Sequence, residues 1–200
     1  MTSRLVLATR NEHKVGELAE ILDAAGVRVE LVPLPVDAPE VVEDGLTFAE
    51  NALKKAVSAA EATGYPAVGD DSGLCVGALN GMPGVFSARW AGSRRDDGAN
   101  LRLLLEQLAD VPDGQLSAYF ACAAALALPS GEERVVDGRM VGTLVREPRG
   151  SGGFGYDPIF VPDGYAVTTA EMSAPEKHRI SHRGNAFRAL APAIRDLVGG

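Results

Sequence analysis

The feature that most limits the fold is a pair of long strand candidates, one directly after the other, in the second half of the chain. Residues 116–128 and 133–145 both read as β-strands, and the Pro129-Ser130-Gly131 sequence between them predicts a turn. Two strands with so short a connection must pair as an antiparallel hairpin. A simple doubly wound parallel sheet, which needs strict alternation of strands and helices, therefore does not fit.

The first half of the chain does follow the strand–helix–strand order. Hydrophobic spacing and turn residues predict the following elements: a strand at 4–8, a helix at 12–25 closed by Gly26, a strand through Val27, Val29 and Leu31, a helix from the capping-box sequence Thr47-Phe48-Ala49-Glu50 to about 62, a short strand at 67–69, a helix at 97–109 and a last helix from Ser181 to Val198. The predicted fold class is a mixed α/β fold with flanking helices, in two lobes with a cleft. We expect residues 1–200 to form a single domain with these two lobes.

The charge of the chain limits its partners. The net charge is −8 at neutral pH, so the body of the protein repels nucleic acid and anionic membranes. It also repels a nucleoside triphosphate unless positive charge or a metal ion is concentrated at one place. The N-terminus lacks a signal-peptide pattern, no apolar stretch is long enough to span a membrane, and Cys75 and Cys122 lie in apolar runs typical of buried free thiols. We therefore expect a cytoplasmic protein that binds neither nucleic acid nor membrane.

A short polar segment between the first strand and the first helix is a candidate phosphate site. The segment consists of Thr9, Arg10, Asn11, Glu12, His13 and Lys14. Free backbone amides at a helix start attract anions, and a lysine in the first turn opposes the helix dipole unless an anion is bound. A solvated turn with Asn11 as the helix cap explains the same residues equally well, so the segment alone leaves both interpretations open.

Carboxylates at two places are candidates for chemistry, and those beside Gly45 suit oxygen ligation of a hard cation. Glu43 stands before Asp44-Gly45, and Asp70-Asp71-Ser72-Gly73 follows a predicted strand, where α/β proteins often place their chemistry. Neighbouring strand residues point to opposite faces, so at most one of Asp70 and Asp71 should face a cleft. Taken alone, both segments are also typical of exposed turns.

The helix predicted after Thr47 carries two adjacent lysines that should differ in role. Its apolar residues form one stripe, which consists of Phe48, Ala49, Ala52, Leu53, Ala56, Ala59 and Ala60. Lys54 points away from this stripe, between Glu50 and Glu61, as a solvent-side ion pair would. Lys55 lies at the edge of the stripe beside Asn51, where its stem can be buried while its ammonium reaches a cleft.

Two further segments are candidates for base binding. The glycine-rich segment 150–158 contains Phe154, Gly155, Tyr156 and Asp157, and no helix pattern follows it, so a dinucleotide-binding loop does not fit. A loop that presents Phe154 and Tyr156 could stack on a base, although a glycine hinge with a core Phe is the simpler interpretation. Lys177 and the Ser181-His182-Arg183 sequence add donors near a helix start, or form an ordinary basic turn.

The order of these segments resembles the non-canonical purine NTP pyrophosphatase family, also described as inosine triphosphate pyrophosphatases or Ham1-like proteins. The resemblance covers residues 9–183 and rests on the following matches: Thr9-x-Asn11-x-x-Lys14, Glu43-x-Gly45-Leu46-Thr47-Phe48-x-Glu50-Asn51-Ala52-x-x-Lys55-Ala56, Asp70-Asp71-Ser72-Gly73-Leu74, Pro83-Gly84-x-x-Ser87-Ala88-Arg89, Gly152-Gly153-Phe154-Gly155-Tyr156-Asp157-Pro158-Ile159-Phe160, Lys177 and Ser181-His182-Arg183. It implies a mixed α/β fold with an elongated β-sheet, flanking helices and two lobes around a central substrate cleft. It also implies a homodimer that uses Mg²⁺ to hydrolyse ITP, dITP or XTP to the monophosphate and pyrophosphate.

The resemblance also implies roles for individual residues. Residues 9–14 and Lys55 would hold the triphosphate, Glu43 and Asp71 would bind Mg²⁺, and Asp71 would be the general base. Phe154 would stack on the purine, with Gly155, Tyr156 and Asp157 alongside. Lys177, His182 and Arg183 would contact the base, and Ser72 would contact the substrate. Two alternatives stay open, a Maf-like pyrophosphatase that acts on other nucleotides and a nucleotide sensor without catalytic activity.

Overall fold

The computed structural model of the protein describes residues 3–9 and 12–198, apart from the side chains of residues 12–14 and 17. Within these residues it contains six β-strands and five α-helices. In chain order they are β1 Arg4–Leu7, α1 Glu12–Ala24, β2 Glu30–Pro33, α2 Phe48–Thr63, β3 Ala67–Val76, α3 Asp97–Gln107, β4 Ser117–Ala127, β5 Glu133–Leu144, β6 Phe160–Pro162, α4 Ala174–Ile180 and α5 His182–Val198.

The six strands form one mixed sheet in the order β2-β1-β3-β4-β5-β6. Strand β1 pairs in parallel with β2, with Arg4 opposite Glu30, and in parallel with β3, with Val6 opposite Ala67. Strands β5 and β6 pair antiparallel. Strands β4 and β5 are neighbours joined by five residues, a connection that only an antiparallel pair allows. The mixed α/β fold with a hairpin in its second half is therefore confirmed.

The chain divides into two compact units. Unit 1 consists of residues 1–71, 122–138 and 182–200, and unit 2 consists of residues 72–121 and 139–181.

Alternating side chains of unit 1 fill two separate cores, one on each face of its strands. On one face Leu5, Leu7 and Val68 pack in a core with residues of α1 and α5. On the other face Val6 and Ala67 pack in a core with α2. The α2 residues in this second core include all residues of the predicted stripe, together with Val57: Phe48, Ala49, Ala52, Leu53, Ala56, Val57, Ala59 and Ala60. A strand with both faces buried loses the alternation of polar residues, and this explains the continuous apolar runs in the sequence.

Unit 2 has its own core of larger side chains. Leu104 of α3 and Ile159 are fully buried, together with Leu74 of β3. Phe120 and Phe160 make an edge-to-face contact with ring centroids 4.8 Å apart, a favoured arrangement for aromatic pairs. Unit 2 therefore has an apolar core that does not depend on the alanine packing around α2.

Two strands differ from the sequence prediction. Strand β2 begins at Glu30, because Val27 closes the end of α1: Gly26 has a left-handed φ of 69°, and the buried Val27 donates its N–H to Leu22 O at 2.9 Å. Strand β3 does not stop at Gly69 but continues through Asp70-Asp71-Ser72-Gly73 to Val76. The interpretation of this acidic segment as a turn is therefore wrong. Ion pairs with Lys55 on one face and with Arg183 on the other explain how the strand accommodates its two aspartates.

The helix ends follow the sequence signals more closely. Thr47 caps α2 with both bonds of the capping box, and Gly64 closes it with a φ of 70°. Helix α5 runs through Pro192 without ending there. Helix α4, which precedes α5 directly, has no counterpart among the predicted elements, since its seven residues carry no apolar repeat.

Cys75 and Cys122 are both buried thiols outside any disulfide, as their apolar surroundings predict. Among the described residues, the helices are all too short or too polar to cross a membrane.

Candidate functional site

Three side chains of unit 1 form a charged group, which we call the carboxylate–lysine cluster: Glu43, Lys55 and Asp71. The Lys55 ammonium lies 2.9 Å from Glu43 Oε1 and 3.4 Å from Asp71 Oδ1. Its side chain is only 15% exposed. The burial of the Lys55 side chain agrees with the prediction, and its acidic neighbours are the two residues predicted to bind metal.

Close packing between β3 and α2 brings Lys55 and Asp71 together. A Cβ atom added at Gly69 would lie 2.5 Å from Ala52 O and 2.8 Å from Ala56 N, so only glycine allows the strand to approach the helix this closely. Asp71 lies two residues after Gly69, on the same face of β3, and therefore also faces α2. The alanines of α2 and Gly69 thus set the distance at which Lys55 and Asp71 meet.

Asn51 completes the cluster, and the predicted site residues do not include it. It is buried, its Nδ2 donates to Asp71 Oδ2 at 3.1 Å, and its Oδ1 accepts from Gly45 N at 2.8 Å. A Cβ atom at Gly45 would lie 2.6 Å from Asn51 Oδ1, so the loop that carries Glu43 needs glycine at this point. The helical spacing of four residues between Asn51 and Lys55 is the sequence signal that could have identified it.

Burial shapes the acid–base properties of the cluster. Burial raises the pKa of Asp71 above its ordinary value, and the nearby Lys55 ammonium and the Asn51 amide only partly oppose this effect. Burial alone would lower the pKa of Lys55, but the charges of Asp71, Glu43 and Asp70 outweigh it and the pKa is raised. Lys55 therefore stays an ammonium at neutral pH, and Asp71 is a stronger base than an exposed aspartate.

Asp70 belongs to the opposite face of β3. It is 3% exposed, and its Oδ2 accepts from Arg183 Nε of α5 at 3.1 Å. The prediction that Asp70 and Asp71 point to opposite faces is therefore confirmed, and Asp71 is the one in the carboxylate–lysine cluster. Arg183, predicted to contact the base, forms a buried ion pair in unit 1.

The structure places several other residues that the sequence analysis singled out. Thr9 follows β1, and its N–H donates to Leu7 O at 2.7 Å. Arg10 and Asn11 lie outside the described residues, and Glu12, His13 and Lys14 are described only as the backbone of the first turn of α1. Ser72 follows Asp71 within β3, and the Nδ1 atom of His182 at the start of α5 is buried. Lys54 forms the predicted ion pair on the solvent side, with Asp44 as its partner rather than Glu50 or Glu61.

The glycine-rich segment 150–158 of unit 2, which we call the aromatic loop, presents one aromatic ring. Phe154 is 67% exposed, whereas Tyr156 is buried and its hydroxyl donates to Ser87 O at 2.9 Å. Burial also raises the pKa of Tyr156. The expectation that the loop presents both rings is therefore wrong for Tyr156, which instead anchors the loop to the Pro83–Arg89 segment.

The remaining predicted residues of unit 2 lie around this loop. Asp157 is 3% exposed and accepts from Phe154 N at 2.8 Å, and it forms an ion pair with Lys177. The Lys177 ammonium lies 5.2 Å from the centroid of the Phe154 ring, within the range of a cation–π contact. Gly155 N donates to Asp97 Oδ2 at 2.9 Å, a contact that nothing in the sequence indicated.

The donor set of the carboxylate–lysine cluster fits a hard divalent cation. Glu43 and Asp71 already converge on one positive charge, the Lys55 ammonium, and both offer carboxylate oxygens. The described residues contain no group of three or more His, Cys, Asp or Glu side chains placed to hold a metal ion. Two carboxylates suit Mg²⁺, which commonly completes its coordination with water and substrate phosphate.

Comparison with known proteins gives one family. The model of the Ham1 family matches residues 5–193, so the chain belongs to this family. A dITP/XTP pyrophosphatase of Streptomyces coelicolor is 60% identical over 199 residues, covering 98% of this chain and 100% of the relative. A protein of the same description from Frankia alni is 58% identical over 201 residues, covering 98% of each.

Solved structures agree with this assignment. A HAM1 protein of Coxiella burnetii superimposes with a TM-score of 0.90 at 40% identity, covering 98% of this chain and 100% of that one. A nucleoside-triphosphatase/dITP/XTP pyrophosphatase of Mycobacterium abscessus superimposes with a TM-score of 0.79 at 52% identity, covering 96% and 100%. The mixed α/β fold is therefore the fold of this family.

Proposed function

We propose that this member of the Ham1 family hydrolyses non-canonical purine nucleoside triphosphates, namely ITP, dITP and XTP, to the monophosphate and pyrophosphate. The relatives that match it over nearly their full length are described as dITP/XTP pyrophosphatases. The observation that carries the proposal is the carboxylate–lysine cluster, in which a buried ammonium and two carboxylates meet at one point. This combination suits a reaction that must bind a polyphosphate and activate water.

In this proposal Asp71 is the general base. Its carboxylate accepts a proton from a water molecule that attacks the α-phosphorus, and the bond between the α-phosphorus and the bridging oxygen breaks to release pyrophosphate. The raised pKa of Asp71 favours this proton transfer. Asn51 donates to Asp71 Oδ2 and so orients the carboxylate.

Lys55 and the first turn of α1 would bind the phosphates. An ammonium is a point charge suited to phosphate oxygens, and Lys14 in the first helical turn adds a second one. Mg²⁺ held by Glu43 and Asp71 would supply the further positive charge that a triphosphate needs. The local positive charge would offset the repulsion from a body whose net charge is −8.

The base would be recognised by stacking and by donors. The exposed Phe154 ring offers a face for a purine, and Lys177, His182 and Arg183 are the proposed donors toward a 6-oxo group. Adenine carries an amino group at this position and would leave such donors without acceptors, so ATP should be a poor substrate. Gly155, Tyr156, Asp157 and Ser72 are proposed to support or contact the bound nucleotide.

We also propose that the protein is a cytoplasmic homodimer.

The test measures turnover of ITP, dITP, XTP, GTP and ATP with Mg²⁺, assaying pyrophosphate and orthophosphate separately. We expect pyrophosphate as the first product, with the inosine and xanthosine nucleotides preferred to ATP. Orthophosphate as the first product, or no turnover of any of the five nucleotides, would contradict the proposed function.

A further inference from the structure

The buried carboxylate of Asp157 connects the parts of the aromatic loop. Its Oδ2 accepts from Phe154 N at 2.8 Å and from the Lys177 ammonium, and its Oδ1 accepts from Thr169 Oγ1 at 2.8 Å. A carboxylate that is 3% exposed needs such donors, because an unpaired buried charge is costly. Asp157 thus links the backbone of Phe154 to the side chain of Lys177.

The two groups that Asp157 holds are also in contact with each other. The Lys177 ammonium lies 5.2 Å from the centroid of the Phe154 ring, and this ring is 67% exposed. If Asp157 changes its orientation, the ring and the ammonium lose their common support. The orientation of this carboxylate therefore sets how the exposed ring and its neighbouring cation are presented.

Thr169 fixes that orientation from the side away from Lys177. It is 1% exposed, so it cannot contact a nucleotide, and its hydroxyl lies 2.8 Å from Asp157 Oδ1 and 3.1 Å from Asp157 O. Its own backbone is held by a bond from Thr169 N to Phe160 O at 2.9 Å. The neighbouring Ala170 accepts from Gly152 N at 2.9 Å, which ties the same segment to the aromatic loop.

Glycine is required where the carboxylate meets the loop. A Cβ atom at Gly153 would lie 2.1 Å from Asp157 Oδ2, and the φ of Gly153 is 71°. A side chain at position 153 would therefore displace the Asp157 carboxylate. The other oxygen of this carboxylate, Oδ1, accepts from the Thr169 hydroxyl.

We propose that Thr169 is a positioning residue for base recognition, whose hydroxyl orients Asp157 so that Phe154 and Lys177 are preorganised before a nucleotide binds. This inference rests on the proposed function, in which Phe154 and Lys177 contact the purine. Loss of the hydroxyl should weaken base binding, since the ring and the ammonium would then be ordered only when the nucleotide arrives. The chemical step at Asp71 should be little affected.

Thr168 provides a matched control. It is fully buried and adjacent in sequence, but its hydroxyl donates to Arg149 O at 2.8 Å and does not contact Asp157. Thr168→Val and Thr169→Val therefore remove the same group from the same buried segment. Only Thr169→Val removes a donor from the carboxylate.

The experiment compares the wild type with Thr169→Val, Thr169→Ser and Thr168→Val in the full chain. KM and kcat for ITP are measured with Mg²⁺, and Kd for ITP is measured by calorimetry with EDTA. Thermal unfolding of each variant gives the temperature range in which it is folded, and the assays are run within that range. We expect Thr169→Val to raise KM and Kd about three- to tenfold, with kcat within about twofold of the wild type. Thr169→Ser should restore both constants, and Thr168→Val should leave them near the wild-type values.

The inference is overturned if Thr169→Val binds ITP as tightly as the wild type, if Thr168→Val weakens binding equally, or if Thr169→Ser fails to restore it. Should Thr169→Val not fold, Thr169→Ala is measured in its place with the same expectation. A wild type that releases no pyrophosphate contradicts the proposed function instead, and the Kd values then decide the inference separately.

Discussion

Asp70 and Asp71 are adjacent in sequence and chemically identical, yet their surroundings differ completely. Asp70 is buried in an ion pair with Arg183 of α5, and Asp71 contacts Lys55 and Asn51 of α2. The first arrangement satisfies a buried charge. The second leaves a carboxylate of raised pKa beside a cation. One aspartate therefore suits a role in stability and the other a role in proton transfer.

Replacing Asp71 with Asn should abolish turnover while ITP still binds. The amide cannot accept the proton of the attacking water, but it keeps the size of the side chain and can still interact with Asn51. Pyrophosphate release and calorimetric binding of ITP measure the two effects. Substantial turnover by Asp71→Asn would show that another group is the base.

Replacing Asp70 with Asn should instead reduce stability, by about 3 kcal/mol, because it removes the charge that balances the buried Arg183 guanidinium. Chemical denaturation measures this loss, and turnover is assayed at a temperature where the variant is folded. We expect Asp70→Asn to retain more activity than Asp71→Asn. Equal losses of activity in the two variants would show that the assignment of roles is incorrect.

At the scale of elements, the contact between β3 and α2 determines the geometry of the carboxylate–lysine cluster. Gly69 lets the strand lie against the backbone of α2, and four buried alanines keep the helix close to the sheet. A larger residue at these positions would separate Lys55 from Asp71. The site thus depends on small residues that have no chemistry of their own.

Gly69→Ala should destabilise the protein by about 2 kcal/mol and reduce turnover. The added Cβ atom would clash with backbone atoms of α2, which can move only if the helix itself shifts. Gly16→Ala is the control: it lies exposed within α1 with nothing within 4 Å of the added atom. That change should stabilise the protein by about 0.5–1 kcal/mol, as alanine usually does in a helix interior. Denaturation curves and turnover of both variants test this, and a neutral Gly69→Ala would contradict the proposed close contact.

The elements also show where sequence reasoning succeeds. The capping box at Thr47, the glycine that ends α2 and the apolar stripe of α2 are local patterns, and the structure confirms them. The extent of β3 is different, because its aspartates are accommodated by Arg183 and Lys55, which are far away in sequence. Helix α4 and the contact of Thr169 with Asp157 likewise depend on tertiary packing, which no local pattern reports.

At the scale of the whole molecule, the distribution of charge matters more than its sum. The net charge of −8 is unfavourable for a triphosphate, and the chain has only four lysines. Lys55 and Lys177 are each held in an ion pair with a buried or half-buried carboxylate, whereas Lys54 is paired with Asp44 at the surface. Two of the lysines proposed to contact the substrate are therefore held in position by carboxylates.

Removing divalent metal should stop turnover without unfolding the protein. The Lys55 ammonium pairs with both Glu43 and Asp71, so these carboxylates have a cationic partner within the chain and the fold should not require a metal ion. We expect EDTA to abolish pyrophosphate release, added Mg²⁺ to restore it, and the unfolding midpoint without nucleotide to stay unchanged. Turnover that persists in EDTA would contradict the metal requirement, and a large drop of the midpoint would indicate a structural metal.

The use of both faces of β3 has a consequence for changes in chain length. Side chains alternate along a strand, so inserting or deleting one residue between Ala67 and Asp70 would exchange the directions of the residues that follow. Asp70 would then point toward Lys55, and its neighbour would point toward Arg183. Single-residue insertions and deletions should therefore be far more damaging inside this strand than in the turn at Asn80-Gly81, whatever residue is added or removed.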